Sequence, residues 1–122
     1  MKKILFISRS KLSHNLFRAV LPLVPVKLEA VCVEMLEEAG KISKRGRAYA
    51  LILADGNAFT ETQVPAAMAT IDKHPLLKGA RRVLINSKDG FNPRVLKEVG
   101  FIFYTKPFLP EELAGLIEKG VA

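Results

Sequence analysis

The sequence contains a single cysteine, Cys32, so no disulfide bond can form within the chain. Cys32 lies in an apolar run, which predicts a buried free thiol, and a chain without disulfides suits a reducing compartment. No stretch approaches the roughly 18 consecutive apolar residues of a membrane-spanning helix. The basic start of the chain is followed by only four apolar residues before Ser8, too few for a secretion signal. We therefore expect a cytoplasmic protein that does not enter the membrane.

The residue patterns of common enzyme and metal sites are also missing. There is no glycine-rich phosphate loop, no nucleophile paired with a base, and no histidine or carboxylate spacing that suits a metal ion. His74 precedes Pro75 and is expected in a loop rather than in a metal site. Repeats, low-complexity segments and linkers are absent, and 122 residues are enough for a core without disulfides. We expect one domain, residues 1–122, that is not an enzyme and holds no cofactor.

The net charge of +7 is high for a chain of this length and raises the question of an acidic partner. The densest basic cluster falls at the end of a predicted helix, where the negative end of the helix dipole stabilises cations. The cluster consists of Lys41, Lys44, Arg45 and Arg47. No aromatic residue interleaves with these cations, which argues against stacking on single-stranded nucleic acid. Binding to nucleic acid is therefore less expected than binding to an acidic protein surface.

An unbroken apolar run from Ala50 to Ala54 ends at Asp55, which is followed by Gly56 and Asn57. A short apolar run bounded by turn residues indicates a strand that is buried on both faces. Ligand sites of open α/β sheets lie beyond the carboxyl ends of such strands, where Asp55 would lie. The same position suits a helix N-cap or an Asx turn. The run alone therefore leaves Asp55 as either a site residue or a structural one.

Apolar runs and helical spacing predict five strands that alternate with five helices. The strands are expected at residues 3–7, 26–33, 50–54, 82–86 and 101–104, with the second near an edge of the sheet. The helices are expected at residues 11–20, 34–44, 61–73, 92–98 and 110–119. Such alternation implies right-handed crossovers and a parallel sheet that is covered on both faces. The predicted fold class is a three-layer α/β sandwich.

The same spacing predicts which side chains the helices bury. The first helix is expected to begin after the N-cap Ser10, and the second to end at Gly46. The predicted buried side chains of the first two helices are Leu12, Leu16, Phe17, Val20, Met35, Leu36, Ala39 and Ile42. Those of the third and last helices are Val64, Ala67, Met68, Ile71, Leu113, Leu116 and Ile117.

Motifs at the strand ends carry a resemblance to a known family. Asp55 closes the third strand within Leu-Ile-Leu-Ala-Asp-Gly-Asn, and residues 104–108, Tyr-Thr-Lys-Pro-Phe, close the fifth. Residues 74–79 lead into the fourth strand, and residues 110–113, Pro-Glu-Glu-Leu, open the last helix. In this order and spacing they resemble the receiver domain of two-component response regulators over essentially the whole chain. The resemblance implies a flavodoxin-like fold of strand order 2-1-3-4-5, with a cis peptide bond between Lys106 and Pro107.

The resemblance also implies roles for single residues. Asp55 matches the phosphorylated aspartate and Lys106 the lysine of the site. Asn86 stands where the family has a hydroxyl residue that contacts the phosphoryl group, and Ser87 would supply a hydroxyl after a shift of one residue. The switch aromatic of the family matches Phe103, which has no hydroxyl.

One departure from the family concerns magnesium. Receivers carry two consecutive acidic residues after the first strand, and Ser8 and Arg9 stand there in this chain. Only Asp55 and the carbonyl of Asn57 remain from an oxygen-rich site of the kind that magnesium prefers. Two unit charges about 4 Å apart interact by roughly 4 kcal/mol at an effective dielectric near 20, and a divalent ion would meet twice that repulsion from Arg9. We therefore expect weak or no magnesium binding, with Asp55 paired to Arg9 and Lys106.

These departures favour a pseudo-receiver, a phosphorylation-independent protein-interaction module of a signalling pathway. The resemblance implies a partner surface on the fourth helix, fifth strand and last helix, and a homodimer through the last helices. Residues expected on that surface are Arg94, Lys97, Phe103 and Glu118, although Phe103 equally suits the core. Two alternatives stay open. One is a working receiver in which Asp55 accepts a phosphoryl group without the acidic pair. The other is a basic module whose cluster at residues 41–47 binds nucleic acid or an acidic partner.

Overall fold

The computed structural model describes residues 1–56, 61–85, 101–104 and 109–122. Within these ranges, five parallel strands form one sheet in the order β2-β1-β3-β4-β5. The strands are β1 (Lys2–Ile7), β2 (Leu28–Val33), β3 (Leu51–Asp55), β4 (Arg81–Ile85) and β5 (Phe101–Tyr104). The predicted parallel sheet, its strand order and the edge position of β2 are confirmed.

Helices cover both faces of the sheet. They are α1 (Lys11–Val20), α2 (Leu36–Ala39), α3 (Val64–Lys73) and the C-terminal helix (Pro110–Val121), with short 3-10 turns at Leu21–Leu23 and Glu61–Gln63. One core cluster joins the sheet to α1 and the C-terminal helix, and a second joins it to α2 and α3. The predicted three-layer sandwich is confirmed, while the helix predicted at residues 92–98 lies outside the described residues.

The middle strand, β3, carries Asp55 to the carboxyl edge of the sheet. All five of its residues are buried. Leu51 and Leu53 pack against the layer of α1, whereas Ile52 and Ala54 pack against the layer of α3. Successive side chains of a strand point to opposite faces, so a strand covered on both faces is apolar throughout. Burying each large apolar side chain contributes about 1.5–3 kcal/mol, which makes β3 a rigid support for the residue at its end.

The buried face of α1 differs from the predicted one. Phe17 is buried as expected, but Leu12 is 80% and Leu16 is 41% exposed. Phe17 stacks on Phe6 of β1 with ring centroids 4.4 Å apart, and His14, one turn earlier, contacts the same Phe6 ring edge-on at 5.4 Å. These contacts set the rotation of the helix about its axis. Leu12 and Leu16 therefore face away from the sheet, and their predicted burial is wrong.

The second predicted helix is much shorter than expected. It ends at Ala39 rather than reaching residue 44, and Met35 at its start is exposed. The carbonyl of Ile42 accepts a hydrogen bond from His74 Nε2 at 2.9 Å, so it is engaged with a distant loop instead of a helical turn. Gly46 has φ of +105° and turns this loop rather than ending a helix. The explanation of the basic cluster by a helix dipole is consequently wrong for the cations after residue 42.

The remaining helices follow the prediction closely. The buried face of α3 consists of Val64, Ala67, Met68 and Ile71, as predicted. In the C-terminal helix, Leu113 and Ile117 are buried and Leu116 is partly buried. His74 lies in a loop as expected, although its side chain is buried, and Cys32 is a free cysteine that is only partly buried.

Tyr49, which precedes β3, gives one pH-dependent prediction. Burial, and to a smaller extent the negative charge of Glu29, raises the pKa of the Tyr49 phenol above its usual value of 10.0. Tyr49 keeps its proton in the folded state when the unfolded chain has lost it, so the stability it contributes is complete below about pH 10 and is lost as the pH rises through the folded-state pKa. In urea unfolding above about pH 10, the protein should lose stability more steeply than Tyr49→Phe. Parallel stability curves would contradict this.

Candidate functional site

Asp55 and Ser8 meet at the carboxyl edge of the sheet. Asp55 ends β3 and is 4% exposed, and Ser8 follows the neighbouring β1 and is fully buried. Parallel pairing of β1 with β3 places the ends of both strands side by side. The Ser8 hydroxyl donates a hydrogen bond to Asp55 Oδ2 at 3.1 Å. A buried carboxylate is therefore held by a buried hydroxyl at the place where ligand sites of this fold class lie.

Ser8 is fixed by three further hydrogen bonds. Its amide donates to the carbonyl of Val33 on β2 at 3.0 Å, and its hydroxyl oxygen accepts from the Ser10 amide at 3.1 Å. Its carbonyl oxygen lies 2.6 Å from His14 Nε2. Because a carbonyl only accepts, His14 Nε2 carries the proton in this contact. The Ser8 hydroxyl is the donor in its contact with Asp55, because a carboxylate oxygen only accepts.

The same network fixes the start of α1. Ser10 is the N-cap, as predicted, and its hydroxyl accepts from the Ser13 amide at 3.2 Å. His14 joins the Ser8 carbonyl to the Phe6 ring, so the first turn of α1 is tied both to the site and to the core. Sequence reasoning did not single out His14. Its position three residues before Phe17, on the inward face of the helix, is the signal that was available.

The end of β3 is also joined to β4. Asp55 is in register with Ile85, and the Gly56 amide donates to the Ile85 carbonyl at 2.8 Å. This bond joins the end of β3 to the end of β4. Arg9, which follows the buried Ser8, has an exposed side chain. The described ends of β1 and β3 therefore carry one buried carboxylate, one buried hydroxyl and a neighbouring cation.

Several predicted site residues fall outside the described residues. Asn57, Asn86, Ser87 and Lys106 belong to this set, as does the cis peptide bond expected before Pro107. Their roles stay predictions, and so does the pairing of Asp55 with Arg9 and Lys106.

The donor set for a metal ion is sparse in the described part of the chain. There, no group of three histidine, cysteine, aspartate or glutamate residues is placed to hold a metal. Magnesium prefers six oxygen ligands in near-ideal octahedral geometry, usually including carboxylates. At this edge, one oxygen of Asp55 already accepts a hydrogen bond from Ser8. In the same described part, no helix is long and apolar enough to cross a membrane.

Comparisons with known proteins identify the fold. No protein-family model and no curated protein sequence matches the chain. Among solved structures, a signal receiver domain of a two-component histidine kinase from Clostridium thermocellum is similar with a TM-score of 0.76 at 15% identity, covering 98% of this chain and 97% of that chain. Chemotaxis response regulator CheY4 of Vibrio cholerae is similar with a TM-score of 0.72 at 20% identity, covering 98% of both chains.

A third similar structure contains a metal ion. It is the receiver domain of a sensor histidine kinase from Pseudomonas aeruginosa PAO1, with magnesium coordinated in its active-site cleft. The TM-score is 0.72 at 18% identity, covering 98% of this chain and 97% of that chain. The protein therefore has the flavodoxin-like fold of response-regulator receiver domains, as the strand-end motifs predicted. At such identities the likeness defines the fold, and the chemistry of the site depends on the residues of this chain.

Proposed function

We propose that this chain is an atypical receiver domain of two-component or phosphorelay-type signalling, and that it acts as a protein-interaction module without phosphorylation of Asp55. The observation that carries this proposal is the hydrogen bond from the buried Ser8 hydroxyl to Asp55 Oδ2 at 3.1 Å. At this point of the fold, a carboxylate after β1 would add negative charge for a metal. Ser8 instead supplies a neutral donor, which occupies the carboxylate of Asp55.

The charges after β1 argue against magnesium-dependent phosphoryl transfer at this edge. A phosphoryl group on Asp55 would carry a charge of about −1.5 to −2 and needs cations close by as it forms. Magnesium would supply that charge in an oxygen-rich site. The residues after β1 give it a hydroxyl and the cation of Arg9, so the donors described at this edge do not fit magnesium. No catalytic step through a metal is therefore assigned to Asp55.

The network around Ser8 suits a static scaffold. It connects Asp55 of β3, Val33 of β2 and His14 of α1 through hydrogen bonds of 2.6–3.1 Å. A buried polar group left without a partner costs about 1–3 kcal/mol, so rearranging this network in a switch would be unfavourable. In this proposal the described ends of β1 and β3 keep one conformation, so the module needs no phosphorylation to present its surface to a partner.

Titration with magnesium and beryllium fluoride, followed by amide NMR shifts, tests this proposal. We expect no saturable shift of the Gly56 amide at millimolar magnesium, because Ser8 and Arg9 follow β1 where acidic ligands would be needed. Asp55→Asn is the control for non-specific effects of the salts. The magnesium-binding receiver domain from Pseudomonas aeruginosa serves as the positive control. A saturable response centred on Asp55, Asn86 and Lys106 would overturn the proposal.

A phospho-accepting receiver is the second candidate function. The position of Asp55 at the carboxyl end of the middle strand favours it, together with a structural neighbour that coordinates magnesium in its cleft. Incubation with acetyl phosphate and magnesium, followed by intact-mass measurement, distinguishes the two. A mass increase of one phosphoryl group, lost in Asp55→Asn, would favour the working receiver.

The proposed partner is a signalling protein. The face of the fourth helix, fifth strand and last helix is one proposed contact surface, and pairing of two copies through the C-terminal helix is another. Glu118 of this helix is exposed, while Arg94 and Lys97 lie outside the described residues. These surfaces remain predictions.

A further inference from the structure

The edge of the sheet opposite Asp55 collects positive charge. The amino ends of parallel strands meet at this edge, where Lys2 begins β1 and Lys27 directly precedes β2. The guanidinium of Arg47 donates to the Met1 carbonyl at 2.6 Å, which places the loop before β3 beside the start of β1. The side chains of Lys2, Lys27 and Arg47 are all exposed. An anionic partner would therefore meet three cations close to the first two strands.

The C-terminal helix ends at the same edge. Arg81 begins β4, and its guanidinium donates to the carbonyl of Lys119 at 2.8 Å. Arg81 and Lys119 are both exposed, so the positive surface continues toward the other side of the sheet.

An apolar groove of about 370 Å³ opens at this positive edge. Its lining consists of Met1 and six residues between positions 21 and 28, namely Leu21, Pro22, Val24, Val26, Lys27 and Leu28. We call these residues, together with the adjacent Leu23, the basic groove. Its apolar members protrude into solvent, since Met1 is 63%, Leu23 is 54% and Val26 is 45% exposed. Neighbouring exposed apolar side chains rimmed by charges are typical of a binding surface.

The chain around the basic groove is restrained before any partner binds. Pro22 and Pro25 fix φ on either side of Leu23, and Pro22 lies within the 3-10 turn. Val24, next to Leu23, is 5% exposed and anchors the segment in the core. A restrained segment loses less conformational entropy when it binds. Leu23 is therefore presented as a pre-organised apolar contact.

The chemistry of the groove selects one kind of partner. The aromatic side chains that the structure describes, Phe6, Phe17 and Tyr49, are buried, so none of them offers a stacking platform for nucleic-acid bases. The open groove can receive a single apolar side chain, which a peptide offers and the flat surface of a bilayer does not. The cations at its rim complement carboxylates. These features together favour an acidic peptide with apolar side chains.

We propose that the basic groove binds an acidic peptide segment of a partner protein. An apolar side chain of the segment enters the groove beside Leu23 and Val26, and its carboxylates lie against Lys2, Lys27 and Arg47. This inference rests on the proposed function as a protein-interaction module, for which it names a surface and a partner class. It does not depend on any contact of Asp55, which lies at the opposite edge of the sheet.

Matched variants at the two edges test this assignment. Lys27→Glu and Leu23→Ser change the basic groove. Lys11→Glu and Leu12→Ser make the same changes near the start of α1, at the carboxyl edge. All four side chains are exposed, so each variant should retain the fold, which circular dichroism checks. The probe is a fluorescein-labelled amphipathic peptide with leucine at helical spacing on one face and glutamate on the other. Fluorescence anisotropy gives its dissociation constant.

We expect each groove variant to weaken peptide binding about tenfold, equivalent to about 1.4 kcal/mol, while each control stays within about twofold of the unchanged protein. Three results would overturn the inference: no peptide binding, equal losses in groove and control variants, or tighter binding to duplex DNA or phosphatidylserine vesicles than to the peptide. A magnesium response at Asp55 with intact peptide binding would refute the proposed function and leave the groove standing. Failure of the peptide test without a magnesium response would overturn the inference about the groove and leave the proposed role of Asp55 standing.

Discussion

Replacing Ser8 and Arg9 by aspartate is expected to create a magnesium site beside Asp55. The double change removes the hydroxyl that donates to Asp55 Oδ2 and replaces a cation by a carboxylate. Each unit charge about 4 Å from a divalent ion is worth several kcal/mol at an effective dielectric near 20. Because 1.4 kcal/mol corresponds to a factor of ten, magnesium affinity should rise at least about tenfold. Isothermal titration calorimetry measures this gain directly.

Thermal unfolding gives an independent measure of the same change. Without magnesium, the crowded carboxylates should lower the melting temperature of Ser8→Asp/Arg9→Asp, and magnesium should restore it by binding the folded state. Ser8→Asn/Arg9→Gln removes the hydroxyl and the cation without adding carboxylates, so it should show no gain. Arg9→Asp alone changes only an exposed side chain and keeps the test informative if the double variant does not fold. Equal magnesium affinity in the unchanged protein and the aspartate variants would contradict the prediction.

Truncation of His74 is expected to lower the free energy of unfolding by about 2–4 kcal/mol. The imidazole is 2% exposed, and both of its nitrogens are engaged. Nε2 donates to the Ile42 carbonyl at 2.9 Å, and Nδ1 accepts from the Leu76 amide at 3.1 Å. His74→Ala leaves both backbone groups without this partner and opens a space in the layer of α3. Urea unfolding of the variant checks the size of the loss.

His14→Ala is the matched control for this prediction. His14 is only partly buried, and within the described residues its imidazole donates to the Ser8 carbonyl at 2.6 Å. Its loss should cost about 1–2 kcal/mol, because it leaves one buried carbonyl without this partner and removes the edge contact with Phe6, whereas His74→Ala leaves two backbone groups without theirs. If the free energy of unfolding falls no more in His74→Ala than in His14→Ala, the prediction for His74 is wrong.

The strands were predictable from the sequence because a strand that is buried on both faces is a nearly continuous apolar run. The run that ends at Asp55 is apolar throughout, and the structure places it in the middle of the sheet. The helix faces were less predictable. Spacing alone fits several rotations of α1, and the choice among them is made by the contacts of Phe17 and His14 with Phe6. After the short α2, the Ile42 carbonyl accepts a hydrogen bond from His74, which is 32 residues away in the chain, and helical spacing does not indicate such a contact.

The candidate site was predictable in part. The position of Asp55 at a strand end followed from its apolar run, and Ser8 was noted as the residue that replaces a carboxylate. That Ser8 is buried and donates to Asp55 depends on the pairing of β1 with β3, which residue spacing does not encode. Asn86 and Lys106 were assigned through the family resemblance, and their assignment remains a prediction.

The hydrogen bond between Ser8 and Asp55 joins residues 47 positions apart in the chain. It forms only after β1 has paired with β3, and that pairing closes a long loop against the entropy of the chain. Pairings distant in sequence slow folding, since the loop must close before the contact contributes stability. During synthesis, β1 leaves the ribosome well before its central partner exists. The contact between Ser8 and Asp55 is therefore completed together with the sheet, and a short nascent chain cannot form it.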